Sequence, residues 1–193
     1  LLSIFFKLHM KEQLITKKIL KWYALNKRSL PWRKNGSERK RQYYTLVSEF
    51  MLQQTQVVTV IPYFNRFIKI IPDLRSLSKV QNKKLIKLWE GLGYYSRARN
   101  LKKTAQAILK DFNGKLPNNF EDLILLPGIG SYTASAILAI AFNKPYIPLD
   151  GNIERVLKRY LYLKKEKDIQ KNHLIKKKSI FGVSSRSNDY AQA

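Results

Sequence analysis

The sequence predicts an all-α protein. Three observations carry that expectation. Apolar residues recur at helical spacing along most of the chain. No pair of runs alternates apolar and polar residues as a hairpin would. Short stretches rich in Gly, Pro and charge separate the periodic segments. Residues 12–25 place Leu14, Ile15, Ile19, Leu20, Trp22, Tyr23 and Leu25 near a 3.6-residue period. Residues 27–42 hold Pro31, Gly36 and seven Lys or Arg, and read as a loop. Residues 44–70 read as helix with a break near Thr55–Gln56 or at Pro62, and Pro72 suits the first turn of a short helix. Helical patterns follow at 83–90, 95–112, 119–126 and 131–142. The last of these is rich in Ala and suited to close packing. Patterns at 151–163 and 168–180 complete the chain.

Composition narrows the function. The chain has 193 residues, with apolar residues at 45%, enough for a real core. Its formal net charge is +24, from 37 Lys+Arg against 13 Asp+Glu, which favours a polyanionic partner such as nucleic acid. A compositional bias toward Lys, Ile and Asn is the bland alternative. With no cysteine, disulfides and thiolate-bound metals are excluded, and His9 and His173 are too far apart in sequence to suggest a zinc site. The longest apolar run, Ala134 to Phe142, is about half a membrane span. Leu1–Phe6 lacks the basic start and cleavage site of a leader, so a cytoplasmic protein is expected. Met10 opens the first helical pattern and is a candidate start.

Three segments carry chemistry. In Leu126-Pro127-Gly128-Ile129-Gly130-Ser131-Tyr132-Thr133-Ala134 a short helix meets a two-glycine turn and a second helix follows at once. Gly128 and Gly130 allow backbone shapes closed to other residues and let a ligand approach. Backbone N–H groups then face outward at a helix N-terminus, an anion site. An ordinary glycine-capped turn explains the same residues. Asp150-Gly151-Asn152 places a carboxylate where it can cap the following helix. Pro148-Leu149 before it gives an apolar setting in which that carboxylate can oppose positive charge developing on a sugar. Glu49 lies in a helical stretch beside Phe50, flanked by Leu46 and Leu52 at helical spacing. Burial there would resist ionisation, and a protonated carboxyl is a general acid. Pairing with a Lys or Arg is the structural alternative. Two carboxylates in unlike environments are what cleavage of a glycosidic bond requires.

Four motifs, taken together, resemble the A/G-specific adenine DNA glycosylases, the MutY family of the helix-hairpin-helix superfamily. They are EFMLQQTQVVTVIPYF (49–64), GLGYYSRARNL (91–101), LPGIGSYTA (126–134) and LDGNIERVL (149–157), with Leu30-Pro31-Trp32-Arg33 before them. The resemblance implies a six-helix domain plus an incomplete second helical domain. It also implies a monomer that flips adenine out of double-stranded DNA, where adenine is mispaired with 8-oxoguanine or guanine. It assigns Glu49 as general acid, Asp150 as stabiliser of the sugar cation, and Asn152 and Tyr132 as assistants to Asp150. Arg28, Leu30, Trp32, Arg33, Leu52 and Val57 would form the adenine pocket. Gln54, Thr55, Leu92 and Tyr94 would probe or wedge beside the oxidised guanine, and Gly128, Gly130 and Ser131 would bind the DNA backbone.

The departures matter as much. The resembling family binds an iron–sulfur (4Fe–4S) cluster through four cysteines, and this chain has none. The expectation is a chain truncated ahead of that segment and of the domain that aids 8-oxoguanine recognition. The loop Lys34–Gln42 also looks longer or more basic than the family pattern. The expected domains are 1–29 as an N-terminal helix packing with the second domain, 30–145 as the six-helix domain with the hairpin at 126–134, and 146–193 as the start of a cluster-type helical domain. Residues 30–145 should be better packed than 165–193, whose apolar residues lack intended partners. Two other functions stay open. One is an endonuclease III-like glycosylase/lyase, which would need a nucleophilic lysine where this chain has Tyr132. The other is an inactive DNA-binding fragment.

Overall fold

The computed structural model describes residues 15–33, 36–160 and 187–193. Every regular element among them is helical. The order is α1 (15–26), a 3-10 turn (Pro31–Arg33), α2 (Glu38–Leu52), α3 (Val57–Ile70), α4 (Leu74–Lys79), α5 (Asn82–Trp89), α6 (Ser96–Asp111), α7 (Phe120–Ile124), α8 (Ser131–Phe142), α9 (Gly151–Tyr160) and α10 (Ser187–Gln192). The helical pattern expected at 168–180, the last residues of that expected at 151–163, and most of 165–193 lie outside the described residues.

The chain divides into two compact units. One is Arg28–Ile137; the other is drawn from residues before Arg28 and after Ile137. In the first unit α6 packs on α4, α2 and α5, while α3 packs on α2, α5 and the 3-10 turn. Its core holds Leu46, Phe50, Phe64, Phe67, Trp89 and Leu101, all fully buried. Phe67 meets Trp89 edge-on with ring centroids 6.1 Å apart, a geometry that aligns a positive ring edge with a negative face.

Local chemistry explains where the helices begin. Ser37 caps α2, its hydroxyl accepting from the Lys40 amide at 3.4 Å. Residues 38–42 are therefore helical, whereas the charge run had read as loop to residue 42. Arg and Lys are good helix formers, so a basic run says little about backbone once a cap precedes it. The break between α2 and α3 falls at Gln53–Gln56, and Pro62 sits inside α3. The carbonyl that Pro62 leaves unpaired belongs to Val58, an exposed residue where water can substitute. Pro72 does not enter α4. Asp73 caps that helix in a reciprocal box with Ser76, at 2.7 Å and 3.2 Å.

The two hairpin glycines differ. Gly128 has φ 79°, and a Cβ there would sit 2.8 Å from Asn100 Cβ and 3.0 Å from Phe50 Cε1. Gly130 is outside the left-handed region, and a Cβ would meet nothing within 4 Å. Of the two, only Gly128 uses a backbone shape that residues with a side chain rarely adopt, because it makes the reversal. Gly130 already starts α8, its carbonyl accepting from the Ala134 amide at 2.9 Å. Gly128→Ala should cost about 1–3 kcal/mol in denaturant unfolding. Gly130→Ala should leave stability unchanged or raise it by up to about 1 kcal/mol, since no strain opposes the loss of unfolded-state entropy. Equal effects at both positions would overturn this distinction.

Candidate active site and nucleic-acid interface

The site grows from the last two turns of α2. The apolar face of this helix turns Leu46, Val47, Phe50 and Met51 inward, and Glu49 goes with them. Its carboxyl is buried, and no hydrogen bond or ion pair to it forms among the described residues. Burial pushes its pKa up to about 7. The Arg33 guanidinium opposes that shift without cancelling it. The 3-10 turn that carries Trp32 and Arg33 packs on α2 and α3. Leu30 and Trp32 are buried, with Trp32 edge-on to Phe64 at 5.2 Å. Leu52 and Val57 are half-buried on either side of the break, and Arg28 is exposed.

Beyond Leu52 the chain turns sharply. Gln54 has φ 56°, an unusual conformation for a residue with a side chain, and is exposed. Gln53 Nε2 donates to the Gly128 carbonyl and to Thr133 Oγ1, each at 3.4 Å, which ties the end of α2 to the hairpin. Thr104 Oγ1 donates to the Pro127 carbonyl at 2.7 Å and ties the hairpin to α6. At its tip Gly130, Ser131 and Tyr132 are exposed while Ile129 and Thr133 are buried.

A second turn, 91–95, lies next to the first. Gly91 (φ 101°), Gly93 (φ 68°) and Tyr94 (φ 46°) all take left-handed geometry. A Cβ at Gly91 would also meet the hydroxyl at the end of the half-buried Tyr63 side chain, which would have to move aside. Tyr94 is 63% exposed, an unusual setting for a large ring. Leu92 does not share that exposure. Its side chain is buried and its carbonyl faces Arg97, so it suits support better than the wedge expected of it.

Arg97 joins the two turns, and sequence reasoning assigned it nothing. Its guanidinium is buried and donates to carbonyls of Phe50, Met51, Gln53, Leu92 and Gly93 and to the Thr55 hydroxyl. One signal was available. Arg97 is the second residue of α6, where the helix dipole disfavours a cation. A second set of acceptors had to be compensating it.

Asp150 belongs to the other unit. Its Oδ1 accepts from the amides of Asn152 (3.0 Å) and Ile153 (2.7 Å), so it caps α9. Its Oδ2 receives no hydrogen bond among the described residues. The Asn152 side chain is directed elsewhere, accepting from Arg155 Nη2 at 2.8 Å.

No group of His, Asp or Glu among the described residues could hold a metal ion. The chain has no cysteine, so no thiolate in it fits an iron–sulfur cluster. No helix among the described residues is long and apolar enough to cross a membrane.

Residues 47–179 match the model of the HhH-GPD superfamily base excision DNA repair proteins. The chain belongs to this superfamily. It is 50% identical over 143 residues to the adenine DNA glycosylase of Buchnera aphidicola subsp. Baizongia pistaciae, covering 74% of this chain and 40% of that protein. It is 46% identical over 146 residues to the adenine DNA glycosylase of Rattus norvegicus, covering 73% and 28%. The chain thus spans less than half the length of these curated relatives. Two solved structures share the fold. A thermostable thymine-DNA glycosylase gives a TM-score of 0.76 at 24% identity, covering 95% of this chain and 84% of that one. An endonuclease III in a non-covalent DNA complex gives 0.73 at 20% identity, covering 95% and 83%. The helical HhH fold expected from sequence is therefore the fold found.

The raised Glu49 pKa has a thermodynamic consequence. Between the ordinary value of 4.5 and about 7 the folded chain holds a proton that the unfolded chain has released. Its contribution to stability is full below 4.5 and is lost as pH rises to about 7. Glu49→Gln should remove that dependence. The variant should match the wild type at pH 4 and exceed it at pH 8 by up to ~3 kcal/mol in denaturant unfolding. A variant less stable than wild type at pH 8 would mean the carboxylate is favourably paired.

Proposed function

We propose that this chain carries the base-excising site of an adenine DNA glycosylase. The reaction is hydrolysis of the N-glycosidic bond of adenine opposite 8-oxoguanine or guanine in double-stranded DNA. The observation that carries this reading is Glu49, a buried carboxyl group that remains substantially protonated near neutral pH. It lies on a helix whose end is tied to a two-glycine hairpin. The similarity to adenine DNA glycosylases in the matched portion supports the choice of base.

In this reading adenine leaves the stack and enters a pocket formed by Arg28, Leu30, Trp32, Arg33, Leu52 and Val57. Extrusion costs a few kcal/mol and is unavoidable for a base inside a duplex. Glu49 gives its proton to the adenine ring, so the C1′–N bond can break with a neutral base departing. The sugar is left oxocarbenium-like, and the Asp150 carboxylate stabilises it, aided by Tyr132 and Asn152. Water adds at C1′ and gives a proton to the Glu49 carboxylate, which leaves an abasic site and restores the acid. Gly130 and Ser131 present backbone N–H groups to a phosphate beside Gly128. Gln54, Thr55 and Tyr94 meet the opposite base. The acting form is a monomer in a bacterial cytoplasm, with 30–145 as the six-helix domain and the segments before and after it in the second.

Single-turnover excision on an A·8-oxoguanine duplex tests the proposal. Glu49→Gln and Asp150→Asn should each lower the rate by at least about a hundredfold while duplex affinity changes little. Borohydride should trap no covalent adduct. A trapped adduct would favour a glycosylase/lyase instead, and duplex binding without excision would leave a binding module.

The same duplex tests the role of charge. Affinity should fall steeply with salt if the net +24 serves phosphate contacts. Gly130→Val should weaken binding at constant charge, because its side chain would occupy the phosphate approach. A flat salt dependence with no effect of Gly130→Val would separate both features from DNA.

A further inference from the structure

Arg97 donates to six acceptors through Nη1 and Nη2. Nη1 is shared among the carbonyls of Phe50 (3.3 Å), Met51 (2.8 Å) and Gln53 and the hydroxyl of Thr55 (3.1 Å). Nη2 donates to the carbonyls of Leu92 (2.9 Å) and Gly93 (3.2 Å). The charge also lies 5.7 Å from the centroid of Trp89 and 5.5 Å from that of Tyr94. The first set of acceptors ends α2 and begins the turn at 53–56; the second set belongs to the turn at 91–95.

Each turn holds one side-chain-bearing residue in left-handed geometry, Gln54 and Tyr94, and both are exposed. Such conformations are unfavourable alone and persist where the surroundings over-determine them. Here a single guanidinium bonds the Gln53 carbonyl and the Thr55 hydroxyl on either side of Gln54, and the carbonyls of the two residues before Tyr94. A lysine could not do this, since one ammonium lacks the planar fork that reaches two sets of carbonyls.

We propose that Arg97 is a positioning residue that couples the turns 53–56 and 91–95, so that Gln54 and Tyr94 are presented to the DNA base stack as one rigid pair. The pair has complementary chemistry: the Tyr94 ring offers a stacking face and the Gln54 amide offers hydrogen bonds to a base edge. The coupling stands on contacts within the first unit. Its use on DNA rests on the reading of the previous section.

Amide hydrogen exchange on the free 193-residue chain tests the coupling without DNA. Thr55→Val removes one acceptor from the first turn. Amides of 91–95, where no atom has changed, should then exchange about threefold faster or more, with α4 and α7 unaltered. Arg97→Lys keeps the charge and should speed exchange in both turns by about tenfold. Unchanged exchange at 91–95 in Thr55→Val, or equal acceleration across every helix, would overturn the coupling. The Thr55→Val result decides if Arg97→Lys does not fold.

The DNA arm is a double-mutant cycle on duplex affinity. Arg97→Lys should weaken binding about tenfold in the wild-type background and less than about twofold when Tyr94→Ala is already present. Additive losses would show that Arg97 does not act through Tyr94. Absence of duplex binding by the wild type would overturn the DNA reading, with the exchange result still deciding the coupling.

Discussion

The first unit depends on how the C-terminus of α2 is closed. A helix leaves its last carbonyls unpaired, and water or a glycine cap normally answers them. Here the carbonyls of Phe50 and Met51 are buried and meet Arg97 instead. This cation lies at the wrong end of its own helix and the right end of α2. The compensation fixes α2 against α6, and Glu49 lies one residue before the first of those carbonyls. The position of the buried acid and the shape of the two exposed turns therefore share one cause.

Electrostatics within the unit run against the charge of the chain as a whole. A net charge of +24 should draw protons off any carboxyl group. Glu49 moves the other way because desolvation in an apolar face is local and unscreened, whereas most of the positive charge is exposed and screened by salt. Even Arg33, the cation that acts on it directly, does not restore an ordinary value. A basic surface and a protonated buried acid are thus compatible, and a glycosylase needs both. In the proposed reading the first gathers DNA and the second helps to release a base.

The fold was largely legible because amphipathic periodicity is a property of the sequence itself. The edges of α3, α5, α6 and α8 fall within a residue or two of the periodic runs. The misreadings have physical reasons. The basic stretch 38–42 resembles a loop in sequence because its charge density masks the cap at Ser37. Gly128 and Gly130 looked alike because a sequence does not say which of two glycines makes a reversal. Glu49 was legible from its apolar neighbours at helical spacing. Arg97 was not, because its partners are main-chain carbonyls, and carbonyls leave no mark in the sequence. Leu92 shares its motif with Tyr94, yet the left-handed turn exposes Tyr94 and buries Leu92, a difference that spacing alone does not show.

Asp150 shows why structural and functional readings of one residue need not compete. Its Oδ1 holds two backbone amides and starts α9, which is sufficient reason for an Asp at that place. The same two bonds fix the carboxyl group in one rotamer and leave Oδ2 unbonded among the described residues. A carboxylate that must face a transient cation gains from such restraint, since electrostatic stabilisation is greatest where no reorientation is needed as charge develops. Asn152 contributes through its backbone amide, while its side chain serves Arg155. Replacing Asp150 with Asn retains an oxygen that can cap and removes the charge. That substitution therefore separates the capping role of this residue from the electrostatic role proposed for it, which replacement by Ala would confound.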